Sequence, residues 1–340
     1  MTTGALEGLL YCGNILIPSL FPFAVFSALA VKSGFAESFG KFLSPLTRKL
    51  FHTDGIVGTV ILLGFTGGFP IGAKGVVTLY EEGKITRQTA QSLTMFTVGG
   101  GIGFTVTVIG VSLYRNIIVG LILWVCQILS QTLLGIIACR NIVYQSLESK
   151  GQQKKALSVC IVESTQSGVE SMLALCGMVI LFSCVFGILE DVQVVAYVEW
   201  ILEALSLPMS ISQSIISVLW EVTKGCNSCF NQGCPLWLMS FALGWGGICV
   251  HFQIFAAAES FGVKKMMFYF SRILNGAFTA LLTFTAAYFL KLDSEVFSNL
   301  KNCETSITSN TFWGSAALLT ASILFLIFMN SYIKTAKDNC

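Results

Sequence analysis

Residues 55–75 read GIVGTVILLGFTGGFPIGAKG, a stretch apolar enough to enter a lipid bilayer and too interrupted to cross it as one helix. A spanning helix needs about 20 consecutive apolar residues. Here Gly55, Gly58, Gly64, Gly67, Gly68 and Gly72 weaken the helix, and Pro70 removes a backbone donor. Non-helical backbone persists at membrane depth only where protein or a water-filled cavity satisfies its polar groups. The stretch therefore reads as a broken or re-entrant segment, an element that points towards transport.

The rest of the chain agrees with a membrane setting. Of its 340 residues, 54% are hydrophobic and only 11% charged, with a mean hydropathy of +0.76, against roughly 25% charged in soluble domains. Apolar runs at about 9–31, 89–111, 117–139, 157–189, 235–256, 266–290 and 312–333 reach or approach spanning length. The expected fold is an all-α polytopic membrane protein, with the lipid bilayer as its first partner. A net charge of +2, spread over short loops, argues against nucleic acid. The start has no basic region or small-residue cleavage site, so no removable signal peptide is expected. Most of the twelve cysteines lie inside apolar runs, where Cys packs as a small hydrophobe.

Charge sets the topology. Loop 32–53 carries Lys32, Lys41, Arg48, Lys49 and His52, and loop 140–156 carries Arg140, Lys150, Lys154 and Lys155; both read as cytoplasmic. If 55–72 spanned, three crossings would separate these loops and place them on opposite sides, so 55–72 is expected to enter and leave from the cytoplasmic face. The stretch 190–209, with Glu190, Asp191, Glu199 and Glu203 and no Lys or Arg, is free to be external. The segment at about 211–225, again too short to span and containing Glu221, is expected to be re-entrant from outside. The result is two inverted repeats, each with spanning helices and a broken segment, plus a C-terminal extra helix. The expected divisions are 1–140 for the first repeat, 141–156 for a basic cytoplasmic linker, 157–290 for the second repeat, and 291–340 for an external loop, last transmembrane helix and cytoplasmic tail. Two echoes accompany the repeat: Gly4 to Cys12-Gly13 has the spacing of Gly168 to Cys176-Gly177, and Gly100-Gly101-Ile102 resembles Gly246-Gly247-Ile248.

Few residues carry chemistry. Gly64, Gly68 and Gly72 would share one face of a helix, for packing or to line a solute path. Gly67 to Gly72 has the start of a phosphate-loop spacing, but Ala73-Lys74-Gly75 follows where Lys and Ser/Thr should stand, which excludes an NTPase. Lys74, Glu81, Glu82, Lys84 and Arg87 read as a solvated cytoplasmic turn. Glu221 is costly at membrane depth unless hydrated or partnered, for instance by Lys224, and is a functional candidate. His251 and Gln253 follow a glycine cluster in GGICVHFQ (246–253). Cys226, Cys229 and Cys234 are weak candidates for a metal site that lacks a fourth ligand of suitable spacing. No catalytic triad, paired carboxylates or cofactor fingerprint stands out, so neither an enzyme nor a bound cofactor is expected. The residues assigned to substrate contact are Thr66, Gly68, Pro70, Glu221, Asn227, His251 and Gln253.

Three segments, NILIPSLFPFAVFSALAVKSGF (14–35), GFTGGFPIGAKGVVTLYEEGKIT (64–86) and LGWGGICVHFQ (243–253), resemble the YlbJ-like sporulation integral membrane proteins of the nucleoside-recognition or Gate-domain group, from about residue 4 to 290. The resemblance implies an inner-membrane protein of spore-forming bacteria associated with cortex and coat formation. It also implies a domain related to parts of concentrative nucleoside and ferrous-iron transporters. Glu221, Gly225, Cys226, His251 and Gln253 match the family's second-half pattern. Members usually have a further hydrophobic helix ahead of the region that begins here at residue 4. Where they commonly carry a Cys-Asn-Asn-x-Gly-Pro turn, this chain has Thr97-Val98-Gly99-Gly100-Gly101-Ile102. Two functions compete: a transporter-like protein whose broken segments bind a small polar solute, and a non-transporting scaffold for other sporulation membrane proteins.

Overall fold

A computed structural model describes residues 2–140, 142 and 156–290. The expected basic linker, except at its ends, and the expected external loop, last helix and tail of 291–340 lie outside the described residues. Everything regular in the described part is helical. Among the described residues, five helices are long and apolar enough to cross a membrane: Gly4–Lys32, Ile117–Cys139, Leu157–Asp191, Leu236–Ala257 and Lys265–Leu290. A pair bent by 86°, Ser38–Phe51 with Gly55–Gly67, would make a sixth if counted as one span. The chain is an all-α, multi-pass membrane protein.

The first span is α1 (Thr2–Tyr11) and α2 (Ile17–Lys32), joined without a bend by a π turn at Cys12–Leu16. Then come the amphipathic α3 (Phe35–Phe51), α4 (Gly55–Gly67), α5 (Phe69–Glu81), α6 (Arg87–Thr94), a π-helix at Gly103–Leu113 and the spanning α7 (Ile117–Cys139). The second half repeats this order: α8 (Leu157–Asp191), α9 (Val194–Ala204), α10 (Met209–Trp220), α11 (Val222–Asn231), α12 (Leu236–Trp245), α13 (Gly247–Ala257) and α14 (Lys265–Leu290).

The repeats are inverted. The first span and α8 lie side by side and antiparallel: Gly4 packs on Ser183, Gly8 on Ile180, and the Cys12 thiol faces the Cys176 carbonyl at 3.9 Å. At the other end, Lys32 donates to the Glu163 carbonyl at 3.0 Å. The C-termini of α2 and α8 therefore lie at opposite ends, and the hairpins that follow, α4–α5 and α10–α11, enter from opposite ends. The first end carries Lys32, Arg48, Lys49, Lys84, Arg87, Arg140, Lys264 and Lys265, and the second Arg115 and Lys224 beside Glu190, Asp191, Glu199 and Glu203. An excess of Lys and Arg is the pattern of a cytoplasmic face, which fits the orientation expected from the loops.

Both hairpins are longer than the sequence pattern indicates, because their polar feet still wind. Asp54 accepts from the Gly55 amide at 3.1 Å and starts α4. Gly68, at φ +97°, turns the chain, and Pro70 sits in the first turn of α5, where its missing N–H costs nothing. The glycine stripe consequently does not lie on one helix. Gly64 and Gly72 press against each other across the hairpin, where a Cβ on Gly64 would stand 3.1 Å from the Gly72 Cα.

One apolar run departs from expectation. Residues 89–111 do not form a continuous span; α6 ends at Thr94, residues 95–101 are not helical, and the chain resumes as the π-helix. The run 235–256 is interrupted too, at Gly246 with φ +85°. The sequence echo Gly100-Gly101-Ile102 and Gly246-Gly247-Ile248 marks these two breaks. Hydropathy sees both runs as spans because the interruption is made of glycine, which is not polar.

Candidate functional site

Each hairpin tip abuts the break of its own repeat. In the first, a Cβ on Gly101 would stand 2.6 Å from the Gly67 carbonyl carbon and the Thr66 oxygen. In the second, Gly247 has φ +77°, and a Cβ there would stand 2.8 Å from the Glu221 Cα. The halves also interlock: Phe69 packs against Gly246, and Leu243 against Gly100. Where the parts meet is a small cavity of about 40 Å³. Both tips (Gly67 to Pro70, and Glu221 to Thr223), both breaks (Gly101 and Phe104, Val250 and Gln253) and both first spans (Leu16 and Leu20, Leu175 and Val179) line it.

Glu221 supplies the charge there. It is 3% exposed and caps α11, accepting from the Thr223 amide at 2.9 Å and the Lys224 amide at 2.7 Å, one per carboxylate oxygen. The positive end of the helix dipole stabilises the anion at this place. A carboxylate has about four lone-pair positions, so capping leaves acceptor capacity for a ligand's donors. The Lys224 ammonium is not its partner; it lies 3.4 Å from Glu190 and over the Phe186 ring. Gln253 also faces the cavity, its side-chain nitrogen 3.5 Å from the Cys249 sulfur.

Of the residues assigned to substrate contact, Gly68, Pro70, Glu221 and Gln253 line this cavity, and three do not. The Thr66 hydroxyl bonds back to the Leu62 carbonyl at 2.9 Å, as threonines in apolar helices do, and only the Thr66 carbonyl approaches the break. Asn227 is exposed on α11. His251 is fully buried; its Nε2–H donates to the Trp245 carbonyl at 2.9 Å, and its ring meets Trp245, Phe268 and Tyr269 edge-on. It closes the α12 end of the break. Lys74 belongs to α5 rather than to the turn, and its ammonium donates to Ser171 on α8. Cys229 and Cys234 are neighbours, the Cys234 thiol bonding the Ser210 carbonyl at 3.0 Å. Among the described residues, no three His, Cys, Asp or Glu side chains are placed to hold a metal.

The residues that hold the breaks open come from α7 and α14. The Arg272 guanidinium, fully buried, donates to the Met95 and Val98 carbonyls, which the end of α6 leaves without partners. Asn275 donates to the Gly244 carbonyl at 3.0 Å and accepts from Ser130 at 2.8 Å. A Cβ on Gly99 would collide with the side-chain amides of both Gln127 and Gln131. The amides of two α7 glutamines thus stand beside the break. One signal could have found these residues: Arg272, Gln127 and Gln131 are strongly polar side chains within apolar runs.

Residues 15–118, from α2 through the first hairpin and break to the start of α7, match the Gate family, described as nucleoside recognition. This part of the chain is similar to Gate domains. The whole chain is similar to the sporulation integral membrane protein YlbJ of Bacillus subtilis (strain 168), with 23% identity over 363 aligned positions that cover 95% of this chain and 89% of that protein. No solved structure matches the chain. The matched region contains one tip, one break and most of one first span of the cavity; the other wall, with Glu221, comes from the second half.

Proposed function

We propose that the chain is a sporulation-associated protein of the bacterial cell membrane that binds a small polar solute between its two hairpin tips and moves it across the bilayer. The observation that carries this reading is the convergence of both tips and both breaks on one cavity holding Glu221 and Gln253. Paired discontinuous segments meeting at mid-depth are how transporters build a site that can face either side. The solute would present N–H or O–H donors to Glu221, as nucleosides and bases do, in keeping with the description of the Gate family. No catalytic step is part of this reading.

The cavity has little more room than the roughly 30 Å³ a liquid water occupies. A nucleoside would therefore enter only after one hairpin withdraws. A second reading is favoured by the same small size and by the apolar walls of Leu16, Leu20, Phe104, Leu175 and Val250: a scaffold that assembles with other sporulation membrane proteins and transports nothing.

Thermal stabilisation of the purified protein by nucleosides, bases, dipicolinate-like acids and divalent metals separates the two. A ligand at 100 times its Kd adds about 2.7 kcal/mol to the folded state. The transport reading expects a saturable shift that is lost in Glu221→Gln and kept in His251→Gln. A panel without any shift, or a shift indifferent to Glu221→Gln, would leave the scaffold.

A further inference from the structure

We infer that the cytoplasmic end carries a binding groove for the phosphate of an anionic phospholipid, built by the start of α6 and the turn between α13 and α14. The groove has a volume of about 580 Å³ and is lined by Arg87, Gln88, Gln91, Gly262, Val263 and Lys264. Two cations and two amides face it, and no carboxylate does.

The groove is built rather than incidental. Arg87 Nε donates to the Phe261 carbonyl at 2.7 Å and Gln91 Nε2 to the Gly262 carbonyl at 2.7 Å, so α6 and the turn are stapled together. Underneath, Phe261 is buried and meets Tyr80 edge-on. With Nε committed, the Arg87 guanidinium is held in place, and its Nη2 stands 3.3 Å from where a Cβ on Gly262 would be. Guanidinium groups fixed in this way suit phosphate oxygens. Lys264, exposed across the groove, adds a second charge.

Position selects the lipid over a free anion. Immediately after Lys264, α14 enters the bilayer with Met266, Met267 and Phe270 turned outward, 81%, 51% and 63% exposed. An amphiphile can set its phosphate in the groove and its acyl chains along this apolar face; inorganic phosphate has no use for the second part. Basic pockets between helices on the cytoplasmic side take acidic headgroups for this reason.

The test is native mass spectrometry of the full chain carried in nanodiscs of phosphatidylcholine with a rising share of phosphatidylglycerol, counting retained phosphatidylglycerol. Melting with short-chain phosphatidylglycerol or with inorganic phosphate is measured alongside. Lys264→Gln is the clean variant, since its side chain supports nothing else. Arg87→Lys keeps the charge while removing the Nε bond, and Lys49→Gln on α3 is the control. The expectation is about a fivefold loss of phosphatidylglycerol retention for Lys264→Gln, a smaller loss for Arg87→Lys, and none for Lys49→Gln. Equal losses in Lys264→Gln and Lys49→Gln would reduce the effect to general surface charge and overturn the inference. Unchanged retention in Lys264→Gln would overturn it as well. Stabilisation by inorganic phosphate matching that by the lipid would make this a free-anion site and not a lipid one.

Discussion

Replacing Gly247 by alanine tests the contact on which the site depends. Two costs combine. The residue holds φ +77°, and a left-handed conformation costs a residue with a Cβ about 1–2 kcal/mol. The new Cβ would also stand 2.8 Å from the Glu221 Cα, 2.9 Å from the Val222 nitrogen and 3.0 Å from the Glu221 nitrogen. All three are backbone atoms that cannot rotate away, and forced overpacking of this kind costs about 1–3 kcal/mol. The sum is about 2–5 kcal/mol, a fall in melting temperature on the order of 10 °C. Two further glycines separate the terms. Gly233 has φ +63° with open space around its Cβ position, so Gly233→Ala is expected to lose only the conformational part, about 1–2 kcal/mol. Gly177 lies inside α8 with open space around it, and Gly177→Ala is expected to gain about 0.5–1 kcal/mol. The assay is melting in detergent, followed by tryptophan fluorescence, for the three variants and the parent. If Gly247→Ala melts with Gly233→Ala, the second hairpin does not abut its break, and the convergence on one cavity falls with it.

Three other outcomes follow from the same structure. Arg272→Gln leaves the Met95 and Val98 carbonyls poorly paired and is expected to cost about 2–3 kcal/mol; a melting temperature equal to that of the parent would show that the α6 end does not need it. Glu199 on the acidic-end helix α9 has its pKa raised, first by burial and then by Glu203 and Glu190. The folded state therefore holds that proton more tightly than the unfolded chain, and stability should rise as pH falls from neutral through the raised value towards 4.5. Glu199→Gln should flatten that rise, and an identical pH profile in the variant would contradict the assignment. Finally, in a background without other cysteines, Gly83→Cys in the α5–α6 turn should react with an impermeant thiol reagent only from the cytoplasmic side and Ser206→Cys, before α10, only from outside; labelling of both from one side would undo the inverted repeat.

Much of this architecture is legible in the sequence, for reasons that differ from part to part. The re-entrant segments show because Gly and Pro interrupt apolar runs between basic loops, and charge fixes which end each hairpin enters. Glu221 shows because a carboxylate in such a run is costly. The break at 95–101 is hidden, because Thr97 to Gly101 are as acceptable to a hydropathy window as a helix would be. What unwinds them lies more than 170 residues away: Arg272 meets Met95 at a separation of 177 and Val98 at 174. His251 misleads for a related reason. Its position two residues before Gln253 places both near the break, but the helix turns them to different sides, one to the Trp245 carbonyl and one to the cavity.

The opposite entry of the two hairpins has a consequence for leakage. On the transport reading, each hairpin would screen the space between their tips from the end it enters, in the manner of an airlock. On that reading, withdrawal of one hairpin would give access from one side while its counterpart stays seated, leaving water and protons without a continuous route. A continuous pore would need both hairpins displaced at once, and the rigid frame of the antiparallel first spans, with Cys12 beside Cys176, remains between the two movements.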